Sequence, residues 1–327
     1  MEAEDRQDAA EFERCMQYVR AHAAGEIEGL YGPNSVTWTT MREPLVLAGG
    51  FAAVLLQLAH PAVATGVGQY SNFAKDLIGR ARRTFTSMYE LLFGTLTESM
   101  GASRRLFLIH RRVRGVVEEP GAPSPGPFRA NEQRLLRWVG ATTSFAINDA
   151  FERFVRPLTP EEWARFHPEY VLRNAAVGVL PETQPKTLEA LLTWYARELE
   201  SPELKVGPIA LGIADALFNS KYTRGPFDEI LTAGLLPPRF REAYGLRWGK
   251  VEQRSFAAMV GGLRATRSFL PAPYTYVVAW HQANLRIARA QSQPESRWAR
   301  VLNAIDRRVD LPTSLKPLAP DVVVPPS

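Results

Sequence analysis

The chain has 327 residues, 46% of them hydrophobic and 22% charged, the balance of an ordinary globular protein with enough length for one large domain or two small ones. Its net charge of +5 comes from arginine, since only six of the 39 basic residues are lysine. These cations are scattered among acids without interleaved aromatics, which argues against nucleic acid as a partner.

Residues 1–13 are acidic and polar and do not read as a secretory signal. Cys15 is the only cysteine, so there is no internal disulfide and no thiolate zinc site, and a cytoplasmic location is expected. A polar amphipathic helix is predicted over 3–29, closed by Gly32-Pro33-Asn34-Ser35 and an irregular piece to Met41. An apolar helix then starts at Pro44, a residue suited to a first turn. It runs about 16 residues, short of the roughly 20 that span a bilayer, and His60-Pro61 stops it. The expectation is a buried core helix and no transmembrane segment. Its run Ala48-Gly49-Gly50-Phe51-Ala52-Ala53 is small-sided, as is 63–67, and such stretches let a backbone or a flat ligand come close.

A helix over 77–92 carries Arg80 and Thr84 one turn apart, and Gly94-Thr95 ends it. The next helix carries an apolar stripe at Leu106, His110, Val113 and Val117, spaced 4, 3 and 4, flanked by Arg104, Arg105, Arg111, Arg112 and Arg114, and is expected to end by Glu119. The Pro- and Gly-rich run 120–127 must be a loop, too brief for a linker. Further helices are predicted over 131–155, 160–177 with Thr159 as cap, 184–199, 209–218, 240–244, 252–270 and 274–290, with a proline-rich tail from Leu311. Alternating strand patterns are nearly absent. The fold class is all-α, a single large helical domain.

An imidazole on an apolar stripe invites four readings: a core histidine bonded to a carbonyl, an axial haem ligand, a metal ligand or a general base. Zinc lacks partners at ligand spacing, and no Gly-x-Ser-x-Gly elbow supports a hydrolytic triad. Arg80 and Thr84 suit a carboxylate-bearing cofactor such as haem, whose propionates a guanidinium would pair. Arg82 and Arg83 read as a solvated face. His60 is weighed equally as a cap and as part of a pocket wall, and His22, His167 and His281 are read as surface residues.

The order of several short motifs adds what spacing does not. Leu58-Ala59-His60-Pro61-Ala62-Val63, Gly66-Val67, Arg80-x-x-x-Thr84, Phe93-Gly94-Thr95 and His110-x-x-Val113-x-Gly115 resemble the catalytic domain shared by rubber oxygenases (latex-clearing proteins) and the ER-bound mpaB-type oxygenase. The resemblance continues through Phe128-Arg129-Ala130, Leu136-x-Trp138-Val139, Leu158-Thr159-Pro160-Glu161-Glu162, Leu180-Pro181-Glu182-Thr183, Gly234-Leu235-Leu236-Pro237 and Arg241-Glu242-x-Tyr244-Gly245-Leu246, covering 42–289. It implies a globin-reminiscent helical fold around haem b, with His110 as iron ligand and Arg80 and Thr84 beside the cofactor; His60, on its own position, is counted with them as a cofactor-binding candidate. The resemblance also implies Arg80 and Thr84 in a catalytic role, and O2 and a small apolar, possibly terpenoid, alkene as the reacting partners.

Two positions depart from the family pattern. A histidine common before the Ser71 position is Tyr70 here, and one shortly after the Trp-Val pair is Gly140. The lysine and glutamate that rubber oxygenases use on the distal side have no match. The chain divides on this reading into an N-terminal helical extension (1–41), the oxygenase-like domain (42–290) and a C-terminal helix and tail (291–327). Two other classes stay open: a non-catalytic haem or gas-sensing protein, and a haem-free protein binding an apolar ligand or a partner.

Overall fold

The structure, a computed structural model, describes residues 2–70, 77–119, 121–220, 225–271 and 275–293, with the side chains of residues 2, 77, 78, 80 and 81 excepted. The predicted C-terminal tail and Ser71 lie outside the described residues. Helices dominate, so the all-α class is what the chain adopts. In order they are α1 (Glu2–His22), α2 (Val36–Met41), a 3₁₀ turn (Pro44–Ala48), α3 (Gly49–Leu58), α4 (Pro61–Tyr70), α5 (Leu77–Phe93) and α6 (Leu96–Arg112). A hairpin of β1 (Arg114–Val117) and β2 (Gly126–Arg129) follows, then α7 (Gln133–Phe154), α8 (Pro160–Ala176) and a second 3₁₀ turn (Pro181–Thr183). The rest are α9 (Leu188–Leu199), α10 (Pro208–Phe218), α11 (Pro226–Leu235), α12 (Pro238–Ala243), α13 (Lys250–Phe269) and α14 (Val278–Ala290).

Local chemistry sets these boundaries. The Thr159–Glu162 capping box starts α8, with Glu162 N donating to Thr159 Oγ1 (3.2 Å) and Thr159 N to Glu162 Oε2 (2.9 Å). α1 stops well short of 29 because Gly25 and Gly29 close a turn through Gly29 N to Gly25 O, 2.9 Å. α2 is a helix that β-branched Val36, Thr37, Thr39 and Thr40 do not favour. It forms because Ser35 caps it (Trp38 N to Ser35 Oγ, 3.1 Å) and because Trp38, fully buried, ties it to the end of α5 through Leu92 O at 2.9 Å. The α3–α4 pair turns through 109° at His60-Pro61, and among the described residues no single helix is long and apolar enough to cross a membrane.

α7 is the central helix, with α3 laid along it and α2, α8, α11 and α13 around it. One core runs from Phe12, Met16 and Val19 of α1 to Ala283 and Ile287 of α14, so both ends of the described chain pack into the same interior. A second fastening lies outside that core. Glu43, 1% exposed, accepts from Arg267 Nε (2.8 Å) and Nη2 (2.9 Å), joining the entry to the first 3₁₀ turn to the end of α13. Glu43→Gln is expected to cost about 3 kcal/mol, because it leaves the guanidinium facing a neutral amide in a buried setting. Urea unfolding would show it as a lower midpoint at unchanged slope; a shift below about 1 kcal/mol would show that the pair contributes no more than an exposed one.

Candidate functional site

The helix that carries His110 is shorter than its periodicity suggests. α6 ends at Arg112, and Val113 is already extended at φ −89° and ψ 102°. The residues after it form β1, pairing Arg114 with Arg129 and Gly115 with Phe128. The predicted stripe is therefore corrected: Leu106 and His110 share a helix face, whereas Val113 caps the helix and Val117 belongs to the strand. Valine density at 113, 116 and 117 favours the pleated state, and the loop after Glu119 lets the chain fold back to pair with itself. That loop is thus the link within a hairpin.

α6 begins with its own capping box, Thr95 N to Glu98 Oε2 (2.8 Å) and Glu98 N to Thr95 Oγ1 (3.1 Å), directly after α5 ends at Phe93. So short a link makes α5 and α6 antiparallel neighbours, further joined by the Arg105–Glu90 ion pair. Arg80, in the first turns of α5, and His110, in the last turn of α6, therefore lie toward the same end of the pair. The side chain of Arg80 lies outside the described atoms. Thr84 is exposed, as are Arg82 and Arg83.

His110 is half-buried, yet its Nδ1 is fully enclosed and finds no hydrogen-bond partner among the described residues. Burial holds the ring far below the ordinary histidine range, at about 4, so it is neutral at physiological pH with a lone pair available. A buried ring nitrogen without a partner is uncommon, and a core histidine satisfied by a carbonyl is not what stands here. The other buried polar atoms without a partner among the described residues include the Tyr89 hydroxyl of α5 and Thr65 Oγ1 of α4. Sequence reasoning singled out neither, because nothing in their spacing separates them from core positions.

His60 sits at the α3–α4 bend, 7% exposed, and its Nδ1 accepts from Ala62 N at 3.3 Å. That is a cap on the first turn of α4. Desolvation, reinforced by the Arg134 charge, lowers it to about 4. His22 is exposed and stacks on Tyr18. The other two are corrected from surface to half-buried: His167 Nε2 bonds Pro185 O at 2.9 Å, and His281 rests against Tyr276 and Trp280.

His60 and His110 set a pH dependence. Their folded values lie below the unfolded 6.5, so the folded state binds fewer protons, and its stability is intact above 6.5 and declines toward 4. For buried His60 the loss amounts to up to roughly 3 kcal/mol. Unfolding midpoints measured from pH 7.5 to 4.5 are expected to fall below pH 6.5, and His60→Gln is expected to flatten that fall; a wild-type profile flat to pH 5 would show that both rings gain protons without cost.

The two small-sided stretches divide by face. Gly49 is pressed on α7, where an added Cβ would stand 2.5 Å from Ala146 O, while at Gly50 a Cβ meets nothing within 4 Å among the described residues. Phe51, Val54, Val63, Val67, Met88, Tyr89, Leu106 and Phe107 are apolar yet only half-buried. Several arginines near His110 pair with α1: Arg104 with Glu13 and Arg111 with Asp5, each at 3.7 Å, Arg114 with Asp5 at 2.7 Å, and Arg129 of β2 with Glu4 at 2.8 Å. The two altered family positions also have structural uses. Tyr70 donates its hydroxyl to Arg114 O (2.8 Å), pinning the end of α4 to β1, and at Gly140 any Cβ would meet Asn174 Oδ1 at 2.1 Å.

The family model described as ER-bound oxygenase mpaB/B'/Rubber oxygenase, catalytic domain, matches residues 37–265, leaving α1 and α14 outside it. Uncharacterised proteins of Mycobacterium bovis and Mycobacterium tuberculosis are each 26% identical over 229 residues, covering 67% of this chain and 88% of theirs. No solved structure matches the chain significantly. A match across most of the helical core, carrying the His110 segment within it, identifies the chain as a member of the ER-bound mpaB/rubber oxygenase catalytic-domain family, a family of oxygenases.

Proposed function

We propose that this chain is a haem-b-dependent oxygenase that oxidises or cleaves a carbon–carbon double bond of a small apolar, terpenoid-like substrate with O2. The observation that carries the reading is the neutral, half-buried His110 ring, whose enclosed Nδ1 lacks a partner among the described residues. A neutral imidazole is the form that ligates iron. When bound, haem would supply the iron chemistry that activates O2.

The chain's own residues would do the rest. His110 would hold the haem iron through a ring nitrogen from the last turn of α6, and the capping box and the Glu90–Arg105 pair hold that helix to α5. Arg80, toward the same end of the pair, is assigned to a propionate, whereas exposed Thr84 joins the site on the family resemblance alone. The half-buried apolar side chains of α3 to α6 would accept a hydrocarbon and exclude water. Open space beside Gly50 supports a flat group approaching α3 there.

The test is the visible spectrum of protein purified from haem-replete cells, oxidised and then dithionite-reduced, followed by O2 uptake with terpenoid alkenes. A Soret band at near-equimolar haem and alkene-dependent O2 consumption are expected. A protein that stays colourless when haem is added overturns the proposal; bound haem without O2 consumption leaves a haem-binding protein that is not an oxygenase.

A further inference from the structure

The outward strip of α6 next to His110 takes no part in the oxygenase reading. Arg105, Leu108, Ile109 and Arg112 stand at i, i+3, i+4 and i+7 and so share one helix face, opposite the buried face of Ser99, Met100, Ala102 and Ser103. Leu108 is 53% exposed and Ile109 61%, an adjacent pair rather than a lone apolar tip. Tyr70 and Val116, also exposed, lie toward the same end, where α4 meets the strand that follows α6.

Cations surround the pair. Arg104 reaches Glu13 of α1 and Arg111 reaches Asp5, each at 3.7 Å, and Arg105 is paired with Glu90 of α5. Those acids stand on the two flanking helices. Arg112, and Arg82 of α5, are exposed and make no ion pair among the described residues. The Arg105–Glu90 pair fixes the register of the two antiparallel helices. Arg82 lies eight residues before Glu90 and Arg112 seven after Arg105, so the two uncompensated cations stand level, beside Ile109.

We propose that this strip docks the protein on an anionic lipid bilayer, with Leu108 and Ile109 entering the headgroup boundary while Arg82 and Arg112 meet lipid phosphates. A guanidinium suits that contact because its fork pairs two phosphate oxygens at once. A protein partner fits less well, since a stable interface buries about 800 Å² per side and the aliphatic centre here is two side chains wide. A soluble polyanion would use the arginines and leave the aliphatic pair idle. Docking needs neither haem nor substrate, so it stands apart from the oxygenase reading. Where that reading holds, the strip sets the His110 end of the molecule against the phase in which an apolar alkene dissolves.

The experiment is co-sedimentation of the whole protein with vesicles of phosphatidylcholine alone and of phosphatidylcholine with one-third phosphatidylserine. Binding to the anionic vesicles is expected to be about tenfold tighter or more, and to weaken as salt is raised. At about fivefold per cation, Arg82→Gln with Arg112→Gln should lower it roughly 25-fold. Leu108→Gln with Ile109→Gln should lower it about tenfold or more, and Arg254→Gln, at an exposed arginine of α13, should leave it unchanged. All of these side chains are exposed, so the variants are expected to keep the wild-type unfolding midpoint. Cys15, the only cysteine, is fully buried, so Ile109→Cys can carry a bimane label whose emission is expected to shift to the blue on anionic vesicles. Equal binding to the two kinds of vesicle would overturn the proposal. So would loss of binding through the arginine pair but not through Leu108 and Ile109, which would mean a surface for polyanions. A dimer in solution that Leu108→Gln with Ile109→Gln dissociates would overturn it as well, by giving the strip to a second copy of the chain.

Discussion

Protein carrying His110→Ala is expected to lose stoichiometric haem while keeping its helices. Removing a group that merely supports a metal ligand typically weakens binding by roughly 10- to 100-fold, and removing the ligand itself should exceed that. The backbone has little reason to fail. His110 lies in the last turn of α6, is only half-buried, and its Nδ1 makes no bond that alanine would break. Alanine is also the better helix former. The readouts are the ratio of Soret to protein absorbance and far-ultraviolet circular dichroism on the same sample. His60→Ala is the internal comparison. Because His60 Nδ1 caps α4, that variant is expected to lose about 1 kcal/mol of stability and keep its haem. Haem at full occupancy in His110→Ala would remove His110 from the ligand role; haem lost in His60→Ala alone would move that role to the α3–α4 bend.

The sequence carried the helical fold well wherever a local signal decided it. Thr159 as a cap, Pro44 at a first turn and His60-Pro61 at a helix end each act through their own neighbours, and each stands where it was expected. Legibility ended where a distant partner decides. α2 exists because Glu169, from α8, sits on its first backbone N–H groups, and nothing in 36–41 announces that acid. The strand after His110 depends on 126–129 folding back, so a periodicity that fits a helix was overruled by pairing. The site was legible as a residue, His110, more than as a pocket: Tyr89 and Thr65 carry no pattern of their own. Gly140 was visible as a departure from the family. Its cause, the Asn174 amide lying where a side chain would begin, is visible only in three dimensions.

The adjacent glycines of α3 yield the sharpest contrast in stability. At Gly49 an added methyl would stand 2.5 Å from Ala146 O and 3.0 Å from Ala150 Cβ, so α3 and α7 would have to move apart. The obstacle is backbone of the central helix, which cannot rotate away as a side-chain tip can. Overpacking of this kind costs about 1–3 kcal/mol, against up to about 1 kcal/mol gained by replacing glycine within a helix. Gly49→Ala is therefore expected to destabilise by about 2 kcal/mol, and Gly50→Ala, where no atom lies within 4 Å among the described residues, to be neutral or to stabilise by up to about 1 kcal/mol. Denaturant unfolding of the two variants checks this, and equal effects would mean that α3 does not approach α7 so closely. A third variant, Gly50→Leu, carries the contrast to function. A bulky side chain in that open space should leave the unfolding midpoint near wild type and lower haem occupancy, if the small-sided face of α3 is where a flat cofactor lies. Unchanged occupancy at unchanged stability would place the haem on another wall, with the close packing of Gly49 on α7 as the whole reason for small residues there.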